Sequence, residues 1–193
     1  MSPSADTIYP VILPVPAADQ QCKGREKVKF LSRYARLALE QSCAKSGLRL
    51  EALPKDDQGV PLPVDGVYWS LSHKTAIVGG VAATLPVGLD LETVRSVKQA
   101  LLARVADDVE WRLAGDREAA SFFRFWTAKE AVLKAVGKGM AGLSRCRIVE
   151  IETPTRMILT YDNLPWPVEH RRFGSHVAAI AVQQGIVVWP DVP

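Results

Sequence analysis

The sequence predicts an α+β architecture with antiparallel sheets. One observation is the order of its segments: a helix, a pair of strands, an acidic strand, more helices, then a closing run of strands. Another is the tight turn expected between the first pair of strands, which makes them antiparallel neighbours. The composition, 48% apolar and 23% charged over 193 residues, is that of a globular chain and fits one compact domain or two intimately packed lobes.

Residues 1–20 lack the basic start of a secretory signal, and prolines interrupt their apolar run, so 9–15 is expected to be an edge strand or extended arm. Residues 23–44 set Lys23, Arg25, Lys27, Lys29, Arg33 and Arg36 among Val28, Phe30, Leu31, Ala35 and Leu39, an amphipathic helix with a basic first half. Those cations form either a solvated face or, at one or two positions, a hold on ligand phosphates. Residues 53–65, LPKDDQGVPLPVD, form a turn-rich loop. Strands are expected at 67–72 and 76–85, with Ser72 and His73 at the intervening turn. Residues 75–89 carry no charge, but Gly79, Gly80 and Pro86 break them up and they fall short of the ~20 residues a bilayer requires.

Residues 87–92 read VGLDLE. Side chains alternate along a strand, so Leu89 and Leu91 enter a core while Asp90 and Glu92 project together from the other face. Neighbouring carboxylates repel unless a cation lies between them, and Mg²⁺ suits hard oxygen ligands supplemented by water and phosphate. Taken alone, D-x-E is equally a polar strand end. Residues 96–114 are expected to be helical in one or two pieces, with Leu101, Leu102, Val105, Val109 and Trp111 on the inner face, and with Asp107, Asp108 and Glu110 at a helix start where acids cap amides.

Residues 122–140 predict the organising helix, with strong helix formers through 128–136 and Gly137 and Gly139 placed for a left-handed cap. Trp126, Glu130 and Lys134 are spaced by four and share one line of its surface. A Glu four residues before a Lys is also an ordinary solvated pair; its combination with D-x-E upstream is far more specific. Trp126 is expected to pack, and Lys129 to bind phosphate or pair with an acid. Strands are expected at 147–152, 157–161, 176–183 and 186–189, with 163–172 a loop because of Pro165 and Pro167. The net charge of +3 argues against a wholly electrostatic nucleic-acid binder. Three dispersed cysteines, Cys22, Cys43 and Cys146, suggest reduced thiols in a cytoplasmic protein with neither disulfide nor zinc.

GLDLE at 88–92 followed by FWTAKEAVLKAVGKGM at 125–140, with WSLSHK at 69–74 upstream, resembles the signature of the 4′-phosphopantetheinyl transferases of the surfactin-synthetase-activating type. The resemblance covers roughly residues 59–142. It implies two similar α/β lobes related by a pseudo-twofold, here 1–84 and 85–193, with the site at their junction. It further implies a cytoplasmic monomer that moves the 4′-phosphopantetheine of coenzyme A to a serine of an acidic carrier protein, releasing 3′,5′-ADP, with no nucleic-acid or membrane partner.

Carried over residue by residue, the resemblance makes Asp90, Glu92 and Glu130 the Mg²⁺ ligands. Glu130 is also the acceptor of the serine proton, and Lys134 a neutraliser of phosphate. Ser72, His73, Lys29 and Arg33 become contacts to coenzyme A, with His73 on its 3′-phosphate. The chain departs from the family where G-K-P is usual and Gly59, Val60 and Pro61 stand instead. Either Lys55 or the basic helix compensates, or coenzyme A binds more weakly. Two rival functions are a metal-dependent nuclease, disfavoured because Glu130 and Lys134 are four apart on a helix, and a catalytically silent binding module, disfavoured because the acids are intact.

Overall fold

The structure, a computed structural model, describes residues 7–21 and 23–191. Helix α1 (Gly24–Ser46) buries Leu31, Ala35, Ala38, Leu39, Ser42 and Cys43, a stripe at helical spacing, and ends where Gly47 turns left-handed at φ 67°. It lies on an antiparallel sheet of three strands, ordered β2 (Val11–Pro14), β4 (Ile77–Ala83), β3 (Tyr68–Lys74). Contact is closest at Gly80, where a Cβ would come within 2.4 Å of the Leu39 nitrogen. The Ser42 hydroxyl donates to the Tyr9 carbonyl at 2.7 Å and accepts from the Ala82 amide at 3.0 Å, pinning helix, arm and sheet together.

A second antiparallel sheet has the order β5 (Val87–Thr93), β9 (His176–Val182), β8 (Leu164–Phe173), β7 (Arg156–Tyr161), β6 (Cys146–Thr153). Helix α4 (Ala119–Ala135) packs across it, with α2 (Gln99–Val105) and α3 (Asp108–Ala114) alongside. Its core gathers Phe122, Phe125, Val132, Leu159, Val168 and Ala179, and Phe125 stacks on Trp111 with centroids 4.9 Å apart. A short parallel pair, β1 (Thr7–Ile8) with β10 (Ile186–Val187), joins the two ends of the described chain. No helix among the described residues is long and apolar enough to cross a membrane.

Strand β5 is covered on both sides. Leu89 and Leu91, fully buried, meet the three-stranded sheet, whereas Gly88, Asp90 and Glu92 face α4, as period-two alternation requires. The edges of β3 and β5 lie side by side without a main-chain ladder. Instead the Ser70 hydroxyl accepts the Leu89 amide at 3.0 Å and the Ser72 hydroxyl accepts the Leu91 amide at 3.1 Å, so two serines satisfy an edge that would otherwise leave buried donors unpaired.

Several expectations are corrected. Residues 164–173 are strand and not loop: Pro165 and Pro167 pair with β7, but the register with β9 begins only at Val168, so no partner needs their missing N–H. Ser72 and His73 lie within β3, paired to Gly79 and Val78, and the turn falls at Thr75 and Ala76. Leu101 and Val109 are exposed, 36% and 53%, because α2 and α3 are separate short helices that turn only Leu102, Val105, Glu110 and Trp111 inward. Helix α4 stops at Ala135; Gly137 is left-handed at φ 64° but Gly139 is not, and residues Met140–Arg145 form a 3-10 turn. Asp107 does cap α3, accepting the Val109 and Glu110 amides in a capping box. Cys43 and Cys146 are free and buried; Cys22 lies outside the described residues.

Candidate active site

The site forms where β5 passes beneath α4. Gly88 permits the approach: a Cβ there would stand 1.8 Å from the Ala131 carbonyl oxygen, so only glycine lets the helix backbone rest on the strand. One turn beyond Ala131, Lys134 reaches down and donates to Asp90 Oδ1 at 2.7 Å and to the Leu89 carbonyl at 2.9 Å. From β3 the Ser72 hydroxyl donates to the same Asp90 oxygen at 3.0 Å. Asp90 is only 4% exposed, and its other oxygen, Oδ2, is buried with no hydrogen-bond partner.

Glu92 is held from both sides. Lys74, the last residue of β3, donates to Glu92 Oε1 at 2.8 Å, and the Trp126 indole donates to the same atom at 3.1 Å. Trp126, expected only to pack, therefore also orients an acid. Glu130 lies between these groups: burial, then the neighbouring Asp90 carboxylate, raise its affinity for a proton above that of an ordinary glutamate, while Lys134 and Lys74 oppose the shift. His73 is held below the ordinary imidazole range by burial and then by Lys134, Lys74 and Lys55. Those three lysines thus press on one histidine.

The structure brings together Ser72, His73, Asp90, Glu92, Glu130 and Lys134. Lys29 and Arg33 stand exposed on α1, outside this cluster of bonds. Ser72 has a structural task, holding both Asp90 and β5. Among the described residues no three His, Cys, Asp or Glu side chains are grouped to hold a metal ion, and Asp90 and Glu92 each turn an oxygen to a lysine. The donor set nevertheless suits a hard divalent cation. It offers carboxylates with one orphaned buried oxygen, and a third acid whose proton affinity is raised by burial and then by the Asp90 charge.

Sequence reasoning missed two contributors. Lys74 and Ser70 could have been found from the S-x-S-x-K alternation on β3, which matches the D-x-E alternation of β5. Lys129 pairs with Glu110 at 2.6 Å with both side chains 4% exposed, which settles its role as the partner of an acid. Glu110 also accepts the Ile148 and Asp107 amides, so both its oxygens are bonded and the buried pair locks α3, α4 and β6 together one residue from Glu130. Beside Glu92 opens a cavity of about 250 Å³ lined by Arg95, Leu101, Phe122, Phe123 and Trp126.

Residues 86–181 match the model of the 4′-phosphopantetheinyl transferase superfamily. The chain is 35% identical over 86 residues to 4′-phosphopantetheinyl transferase psf-1 of Bacillus pumilus, covering 42% of this chain and 37% of the relative. It is 29% identical over 90 residues to 4′-phosphopantetheinyl transferase gsp of Aneurinibacillus migulanus, covering 45% and 38%. It is 35% identical over 97 residues to 4′-phosphopantetheinyl transferase HetI of a Nostoc species, covering 47% and 40%. The chain thus spans well under half the length of the curated relatives it matches. Since the matched residues take in the whole acidic strand β5 and the helix α4 that rests on it, the chain belongs to the 4′-phosphopantetheinyl transferase superfamily.

Proposed function

We propose that this protein is an enzyme that transfers the 4′-phosphopantetheine group of coenzyme A to a serine hydroxyl of an apo acyl or peptidyl carrier protein, releasing 3′,5′-ADP. The observation that carries the reading is the Asp90 carboxylate, fixed by Ser72 and Lys134 with its second oxygen buried and unpartnered, beside the half-buried Glu130. Asp90, Glu92 and Glu130 would hold Mg²⁺, which supplies neutralisation of the charge that develops on a diphosphate as it loses its leaving group. Division near Thr84 into lobes 1–84 and 85–193 puts His73 on one side of the cleft and these acids on the other.

The chain's own residues account for the remaining demands. Glu130 accepts the serine proton, directly or through water, a task helped by burial that strengthens its hold on a proton. Lys134, paired with Asp90, turns toward the phosphates that approach it. His73, ringed by Lys134, Lys74 and Lys55, faces the 3′-phosphate. Lys55 stands in for the family cation missing at Val60, since it lies close enough to His73 to repel its proton. Lys29 and Arg33 take outer phosphate contacts from α1. The cavity next to Glu92 receives the carrier protein beside its serine.

A cytoplasmic monomer is the working state. Intact-mass spectrometry of a panel of apo carrier proteins, incubated with this protein, coenzyme A and Mg²⁺, tests the reading. At least one carrier should gain a single phosphopantetheine; no gain on any carrier would reject it.

A further inference from the structure

Asp90 and Glu92 each give a carboxylate oxygen to an ammonium group, Lys134 and Lys74, and Glu130 lies near enough for the charges of all four to act on it. The two lysines are not equivalent. Lys134 is tied by two bonds, to Asp90 and to the Leu89 carbonyl. Lys74 has one, to Glu92, and sits at the very end of β3 with its side chain 33% exposed, against 15% for Glu92. Its departure leaves Glu92 still oriented by the Trp126 indole, and costs the protein one partly screened ion pair.

We propose that Lys74 is a built-in counter-ion of the acidic site, occupying Glu92 until a divalent cation displaces it. The inference rests on reading the three acids as metal ligands, and adds that the chain carries its own competitor for the metal. The chemistry is simple competition: one carboxylate oxygen cannot accept a 2.8 Å ammonium bond and serve a divalent cation equally well, and two cations crowded on it repel. With Lys74 in place the cluster counts three negative against two positive side chains, so the metal-free site is nearly neutral and stays packed. Lys74 follows His73 on β3, and its charge already bears on that imidazole.

The test measures Mn²⁺ binding directly, by electron paramagnetic resonance of the free ion, with no coenzyme A or carrier present. Lys74→Met keeps the aliphatic stem and should tighten the Mn²⁺ dissociation constant about threefold to fivefold, the scale of a lost surface-type ion pair. Lys74→Arg keeps the charge and should bind as the wild-type does; Lys74→Gln replaces the methionine variant should that one melt early. Equal Mn²⁺ affinity in wild-type and Lys74→Met, with binding abolished by Asp90→Asn, overturns the role of Lys74 while leaving the metal reading intact. Tightening of the same size in Lys74→Arg points to packing and also overturns it. Absence of Mn²⁺ binding in every variant removes the proposal together with the reading beneath it.

Discussion

Gly88 lies directly beneath Ala131, so near that a Cβ on the glycine would fall 1.8 Å from the helix carbonyl and 2.7 Å from the Ala135 amide nitrogen. The blocking atoms are backbone, which cannot swing aside as a side chain can. Gly88→Ala should therefore lift α4 from β5, costing about 3 kcal/mol or more in chemical denaturation. It should also reduce transfer disproportionately, because Lys134 and Glu130 ride on the displaced helix. Wild-type stability in the variant would show that the helix does not rest on the strand.

Removing His73 should separate two forms of the substrate. His73→Ala is expected to raise the Michaelis constant for coenzyme A about tenfold, the loss of one charge-assisted bond, and to leave that for dephospho-coenzyme A nearly unchanged. Equal losses with both would take the 3′-phosphate away from His73.

His170 gives a pH prediction remote from the site. It is buried, its Nε2 bonds the Arg124 carbonyl at 3.0 Å, and its Nδ1 has no partner. Burial, with the Arg124 charge adding to it, lowers its pKa to about 3. The unfolded chain, with an ordinary imidazole, binds the proton first, so stability should fall as pH drops below about 6.5, by up to about 1.4 kcal/mol per pH unit from this group, until pH 3 is approached. His170→Gln retains a donor near Nε2 and cannot titrate. Urea unfolding at pH 7, 6 and 5 should show a shallower decline for the variant; parallel declines would refute the assignment.

What could be read from the sequence followed from local periodicity. Alternation along residues 87–92 placed Leu89 and Leu91 in one core and Asp90 and Glu92 opposite, and spacing by four aligned Trp126, Glu130 and Lys134. The capping role of Asp107 needed only its place before a helix. Features set by distant partners were not legible. Nothing local tells that Lys129 will meet Glu110, since the pair joins separate elements. Pro165 and Pro167 argued against a strand because their harmlessness depends on where β9 stops. The β3–β4 turn was misplaced because Thr75 and Ala76 carry none of the usual turn residues.

Approach of the carrier protein should be electrostatic. Helix α1 exposes Arg25, Lys29, Arg33 and Arg36, a basic face suited to an acidic partner. Charge reversal at Arg36, or added salt, should slow carrier association in stopped-flow measurements. A carrier on-rate indifferent to both, beside a salt-sensitive coenzyme A affinity, would assign the helix to the cofactor alone.

The most direct measurement of the central claim is a time course of carrier-protein mass and 3′,5′-ADP release, run in Mg²⁺ with wild-type, Asp90→Asn and Glu130→Gln proteins of matched folding. The wild-type should produce one 3′,5′-ADP per phosphopantetheine added, and each variant should slow both at least about 100-fold, the scale of a lost catalytic acid–base or metal-holding group. Wild-type rates in either variant, or modification of the carrier without 3′,5′-ADP, would contradict a reaction centred on β5 and α4.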